Sequence, residues 1–163
     1  MIPRALLLCG LVLTTGCGFH LQGRAALPAV LAAAHIDASD NQSDFYAGLR
    51  DALRASGSTL QESAVAGAAN IRILSDGTAE RVLTVSSRNL PTAYALTYSV
   101  RLTVNAGGRE LLPAETFSAT REYSFDATAL LAKERERQSL SAALADELVS
   151  EVMSRLASLS AAD

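Results

Sequence analysis

The sequence predicts an α+β two-layer sandwich: a mostly antiparallel sheet of about four strands, with two helices packed on one face. Two observations carry this. Tyr94, Leu96, Tyr98, Val100, Leu102 and Val104 alternate with smaller or polar residues, the period of a half-buried strand. Leu140, Leu144, Leu148, Val152 and Leu156 recur every four residues, the stripe of a helix facing a core. Strands gathered in one part of the chain and a long helix after them are the mark of α+β rather than of alternating α/β architecture.

Taken in order, the apolar run Ala29–Ala34 continues through His35-Ile36-Asp37-Ala38 into a polar cluster at Ser39–Ser43, which predicts a first strand near Ala32–Ala38. Asn41 or Ser43 can cap a helix over 44–55, in which Phe45, Leu49, Ala52 and Leu53 share a face and Gly57 supplies the left-handed terminator. Thr59–Ser63 reads as a brief extended piece, Ala64–Ala69 as a linker and Asn70–Ser75 as a strand ending in a turn at Asp76-Gly77. Arg81–Ser87 is a further strand, separated from the long alternating one by the turn residues Arg88-Asn89-Leu90-Pro91. Phe117, Ala119, Arg121, Tyr123 and Phe125 alternate in turn, so this run and the long strand form a hairpin around Asn105–Arg109. The last helix spans about Thr128 to Leu159, and residues 29–159 form one domain with a short tail at 160–163. With helices on one side only, Thr97, Ser99, Arg101 and Thr103 point the other way, toward water or a partner.

The N-terminus is of a different kind. One positive charge at Arg4, an uncharged apolar stretch from Ala5 to Leu13 and then Thr14-Thr15-Gly16-Cys17 make a short secretory signal, removed with residues 1–16. A bilayer-spanning helix needs about 20 apolar residues, and polar residues follow Cys17 at once. Leu13-Thr14-Thr15-Gly16-Cys17 resembles the lipobox of bacterial lipoproteins, although leucine lies one step earlier than usual. Cys17 is then the lipidated first residue, held at a membrane by acyl chains that contribute about 0.8 kcal/mol per buried methylene, and residues 17–28 are a tether. Gly18, where Asp commonly retains lipoproteins at the inner membrane, implies the outer membrane of a Gram-negative cell, on its periplasmic side.

Removing 16 of the 163 residues leaves 147, enough for one sizeable core. The mature chain carries 13 basic and 17 acidic side chains, a balance of −4, which argues against nucleic acid as a partner. Cys9 leaves with the signal and Cys17 is the anchor, so no disulfide forms. Asn105-Ala106-Gly107-Gly108 leads into more strand, as a hairpin turn does and a phosphate loop does not. His20 and His35 are the only histidines, there is no nucleophile elbow, and no metal, cofactor or catalytic residue is expected. Lys133-Glu134-Arg135-Glu136-Arg137 reads as solvated helix surface. Arg88, in the turn before the long strand, and Lys133, the only lysine of the chain, stand apart because a meander can bring both to one end of the sheet, where they would grip phosphate.

Cys17-Gly18-Phe19-His20-Leu21 directly after a lipobox resembles the mature start of the LptE family of lipopolysaccharide-assembly lipoproteins. The resemblance extends through Thr92-Ala93-Tyr94-Ala95-Leu96, Leu102-Thr103-Val104-Asn105-Ala106, Tyr123-Ser124-Phe125-Asp126 and Leu131-Ala132-Lys133-Glu134. It implies a sheet with two packed helices and a non-enzymatic outer-membrane lipoprotein that plugs the LptD β-barrel, assists its assembly and binds lipopolysaccharide for delivery to the outer leaflet. It also implies that Arg88 and Lys133 contact lipopolysaccharide. Asn89-Leu90-Pro91 stands where relatives carry a glycine-containing turn. The alternative is a lipoprotein that pilots or stabilises a different envelope complex.

Overall fold

The computed structural model describes residues 27–124 and 130–159. After a 3-10 turn at Ala29–Leu31, strand β1 (Ala33–Ala38) leads into helix α1 (Asp44–Ala55), a two-residue strand β2 (Thr59–Leu60), three long strands β3 (Ala69–Val85), β4 (Pro91–Ala106) and β5 (Arg109–Ser124), and helix α2 (Leu130–Ser158). The sheet has five strands in the order β2-β1-β3-β4-β5, one more than expected, because the extended piece at Thr59 pairs parallel to β1 through Ala33 and Ala34. β1 is also parallel to β3, while β3, β4 and β5 form an antiparallel meander.

Ser43 caps α1, its hydroxyl accepting from the Tyr46 N–H at 3.0 Å, and Gly57 ends the connection at φ 91°. Phe45, Leu49 and Leu53 of α1 are wholly buried, as are Leu144, Leu148, Val152 and Leu156 of α2, and they share one core with Ile71, Val100, Leu102 and Val104 of the sheet. The helices meet at Gly48, where an added Cβ would lie 3.0 Å from Val149 Cγ2. Among the described residues no helix is long and apolar enough to cross a membrane.

Two departures from the sequence reading shape the far end of the sheet. The first is Asp76-Gly77, which makes no turn: β3 runs straight through it, Asp76 opposite Val100 and Gly77 opposite Ser99, with an irregularity just before at Leu74. The pairing partner β4 is uninterrupted, and its full set of ladder bonds outweighs the local turn preference of Asp-Gly. The strands expected at Asn70–Ser75 and Arg81–Ser87 are therefore one; beyond Asp76 it continues with β4 and β5 as a three-stranded ribbon tipped by the β3–β4 turn. The second is the register of β4 and β5. Ala106 and Arg109 flank Gly107-Gly108, whose φ values of 58° and 77° are those of a two-residue type I′ turn. Extra residues in β5 between Glu110 and Leu112, and between Leu112 and Glu115, then slide the pairing, so that Tyr94 faces Tyr123. Pro113, which cannot donate to the ladder, sits in the second bulge.

Candidate functional site

Arg88 and Lys133 reach the same end of the sheet by different routes. Arg88 lies in the β3–β4 turn, closed by Ser86. The Ser86 N–H donates to the Leu90 carbonyl at 2.8 Å, its carbonyl accepts from the Asn89 N–H at 3.0 Å, and its hydroxyl accepts from the Arg88 and Leu90 N–H groups at 3.3 Å each. Asn89 takes φ 56°, the left-handed conformation that Asn tolerates better than most side chains. The asparagine thus does in this turn what a glycine would do. Arg88 is exposed, and its guanidinium makes no ion pair among the described residues.

Lys133 is in the first turn of α2 and is far from a bare surface cation. Its Nζ lies 4.0 Å from the centroid of the Tyr94 ring and 3.9 Å from Glu80 Oε1. Tyr94 stands opposite Val82 on one side and Tyr123 on the other; the two tyrosine rings stack with centroids 5.6 Å apart and planes inclined by 20°. The Tyr123 hydroxyl in turn donates to Glu80 Oε2. Arg137, one turn along α2, holds Glu134 with contacts of 3.1 and 2.7 Å. That pairing keeps the Glu134 carboxyl below its usual range, and the Arg137 charge extends to Glu80 and Tyr123. Burial, reinforced by the Glu80 carboxylate, pushes the Tyr123 hydroxyl well above the ordinary tyrosine pKa.

The geometry brings the two cations to one end without bringing them to one point. Tyr94 and Pro91 are three residues apart on β4, about 10 Å at a strand's rise of about 3.3 Å per residue, and Arg88 lies beyond Pro91. Val82, Val85 and Leu90, residues between 45% and 53% exposed, border the same ribbon, so the cations sit among apolar groups.

Glu80, Tyr94 and Tyr123 were not singled out in the sequence as members of this cluster. A turn at Asp76-Gly77 would leave Glu80 between two strands, whereas the continuous β3 sets it opposite Leu96. Tyr94 and Tyr123 were visible on alternating faces, but their pairing depends on the β5 bulges. Other candidates resolve simply. The His35 ring donates from Nδ1 to the Gln61 carbonyl at 3.0 Å, tying β1 to the end of β2. Among the described residues no group of three or more His, Cys, Asp or Glu could hold a metal. Cys17, His20 and the signal lie outside the described residues, as do Phe125 and Asp126. A cleft of about 630 Å³ opens at the other end of the sheet, lined by Pro28, Val30, Gly107, Leu111 and Leu159 among others, and contains neither cation.

The sheet face away from the core carries Thr97, Ser99, Arg101 and Thr103, as the alternation predicts, paired with Thr120, Ser118 and Thr116 across β5. Thr97 and Thr120 hydroxyls are hydrogen-bonded at 2.8 Å, and the Thr103 hydroxyl donates to the Leu112 carbonyl at 2.9 Å. Arg72 on β3 pairs with Asp37 on β1 at 2.8 Å. This is a hydroxyl-rich surface with its charges partly matched.

A family model described as LptE, lipopolysaccharide-assembly, matches residues 31–156 of the chain. An LPS-assembly lipoprotein LptE from Pectobacterium atrosepticum is 25% identical over 147 residues, which cover 87% of this chain and 79% of that protein. Among solved structures, the fold is similar to lipoprotein B from Nitrosomonas europaea, with a TM-score of 0.72 at 21% identity over 90% of this chain and 94% of that one. It is likewise similar to rare lipoprotein B from Shewanella oneidensis, with a TM-score of 0.69 at 21% identity over 77% and 94% of the respective chains.

Proposed function

The chain belongs to the LptE family of lipopolysaccharide-assembly proteins, and from that premise we propose a non-enzymatic lipoprotein that works with the LptD β-barrel in delivering lipopolysaccharide to the outer leaflet. Membership supports a role in lipopolysaccharide transport and outer-membrane assembly. The finer reading is that the domain plugs the barrel, assists its assembly and binds lipopolysaccharide itself. Cys17 carries the acyl anchor and holds the domain on the periplasmic side of the outer membrane; Cys17→Ala then releases the chain into the soluble fraction, and its retention in membranes would sink the anchor assignment.

The observation that carries the ligand reading is the placement of Arg88 and Lys133 at one end of the sheet, bordered by the apolar side chains of Val82, Val85 and Leu90. A phosphorylated glycolipid offers that combination: two or more phosphates for charge-assisted hydrogen bonds and an apolar body beside them. The observation that favours the plug reading is the uncovered face of Thr97, Ser99, Arg101 and Thr103. Hydroxyls and partly paired charges suit the polar, hydrated interior of a wide barrel. Photo-crosslinkers at Ser99 and Arg101 are expected to capture barrel strands, and crosslinks to none would remove this part.

The decisive experiment is a pull-down of the lipoprotein from outer-membrane extract, wild type against the Arg88→Asp, Lys133→Asp double variant, with urea midpoints confirming that both are folded. Barrel recovered by both and lipopolysaccharide lost only in the variant is the expected result. Barrel recovered by neither overturns the plug role in favour of a lipoprotein that pilots or stabilises another envelope complex.

A further inference from the structure

Lys133 already has an anionic partner. Glu80 Oε1 is 3.9 Å from its Nζ, the Tyr94 ring closes a second side at 4.0 Å, and the ammonium retains only 22% of its side-chain accessibility. Glu80 is not free to swing away, because Tyr123, itself 5% exposed and stacked on Tyr94, donates its hydroxyl to the other carboxylate oxygen. Lys133 is thus held by an anion and a ring before any phosphate reaches it. An incoming phosphate then lies within a few ångströms of a fixed carboxylate, and like charges at that range oppose each other strongly where water is partly excluded.

We infer that Glu80 is a built-in competitor for the phosphate of a phosphorylated glycolipid at Lys133: it positions the ammonium over the Tyr94 ring and keeps the bound lipid weakly held. The inference rests on the ligand reading above. A component that hands its cargo on needs a site that accepts the phosphate and then releases it. A carboxylate already within reach of the lysine lowers the cost of release, because the partly buried ammonium returns to an anion as the phosphate leaves. Arg88, which has no such partner among the described residues, carries no comparable internal competition.

The test uses the full lipidated chain in detergent micelles, titrated with bisphosphorylated lipid A, with its dephosphorylated form and with inorganic phosphate. Lys133 is the only lysine, so reductive ¹³C-methylation gives one side-chain amine signal, displaced by the ring current of Tyr94. Glu80→Gln keeps an oxygen that accepts from Tyr123 while removing the charge. It is expected to bind bisphosphorylated lipid A about tenfold more tightly than wild type, with the Lys133 signal reporting the contact. The gain should be absent from the dephosphorylated lipid and from a Lys133→Gln background. Wild type that binds through Lys133 while Glu80→Gln binds equally or more weakly overturns the competition and leaves the ligand reading standing. Binding by wild type and Lys133→Gln alike, or by neither, overturns the ligand reading and the competition with it. Inorganic phosphate moving the Lys133 signal as effectively as lipid A overturns the assignment to a lipid phosphate.

Discussion

The two ends of β3 obey different rules. Near the helices, every inward position of β4 from Leu96 to Ala106 is buried, and the inward residues of β3, Ile71 and Ile73, meet Leu102 and Val104 across the ladder. Beyond Asp76 β3 buries no residue: from Gly77 to Val85 only Leu83 and the Glu80 side chain, held beside Lys133, are partly covered. Along β3 one end is core and the other is limb, although pairing to β4 is continuous through both and Leu96, Tyr98, Ala119 and Tyr123 of β4 and β5 stay buried beside the limb. The lesson is that strand pairing does not require a core beneath every residue once the neighbouring segment is anchored. A ribbon so supported can present side chains such as Arg88 that the core end could not tolerate.

That contrast is broken most severely by removing packing from the core end. Leu148 is fully buried on α2, and Leu148→Ala is expected to cost about 2–5 kcal/mol, the lost transfer energy plus the cavity left behind. Val85→Ala at the ribbon, where the side chain is 53% exposed, is expected to change stability by less than about 0.5 kcal/mol. Urea midpoints of the two variants decide the matter. Comparable losses would mean that the ribbon is part of the cooperative core after all.

Alkaline pH probes the boundary between the two regions. Burial first, and then a neighbouring carboxylate, raise the Tyr98 and Tyr123 hydroxyl pKa values above 10.0, Asp76 acting on the former and Glu80 on the latter. A raised folded-state value means that the native state holds its proton more tightly than the unfolded chain. The stabilisation is complete below pH 10 and is lost as pH climbs above it, at up to about 1.4 kcal/mol per pH unit for each tyrosine. Denaturant midpoints at pH 9 and 11 should therefore separate, and Tyr98→Phe and Tyr123→Phe should each shrink the separation. An unchanged separation in either variant would exclude that hydroxyl as its source.

A smaller effect sharpens the account of how the core end closes. Gly48→Ala should gain about 1 kcal/mol in helix propensity, yet the new Cβ would sit 3.0 Å from Val149 Cγ2. Overpacking of that kind costs about 1–3 kcal/mol. The expectation is that Gly48→Ala is less favourable in wild type than in a Val149→Ala background by about 1 kcal/mol, read from a double-variant cycle. Additive behaviour would show that α1 and α2 have room to part.

Much of this division was legible from residues alone, and the part that was not has an identifiable cause. The period-two run in β4, the Gly107-Gly108 turn and the leucine stripe of α2 each state their structure locally, because burial on one face writes its period into the chain. A cap at Asn41 or Ser43 likewise announces the start of α1, and the structure selects Ser43. The short β2 could not be separated from a loop, since two residues carry no period. Asp76-Gly77 misled because its local preference for a turn conflicts with pairing to a distant, uninterrupted strand. The same break hid Glu80 from the face it occupies. Counting back from the Gly107-Gly108 turn would set Arg121 opposite Tyr94; two bulges in β5 put Tyr123 there instead. Arg88 and Lys133 were found by type and position, whereas the cage around Lys133 depends on register and so required the structure.

The gentlest test lies at the ribbon tip. Asn89 holds φ 56°, and an alanine forced into that conformation costs about 1–2 kcal/mol. Were the tip rigidly coupled to the core end, the whole penalty would appear in global stability. The turn hydrogen bonds around Ser86 can instead open while the core stays closed, because no buried apolar contact is lost when they do. Asn89→Ala is thus expected to lower the urea midpoint by an amount equivalent to less than about 0.5 kcal/mol. Amide exchange at Arg88, Asn89 and Leu90 should meanwhile accelerate, and Asn89→Gly should restore it. A full global loss in Asn89→Ala would erase the distinction between limb and core, and with it the view that the cations at this end are carried on a separately yielding element.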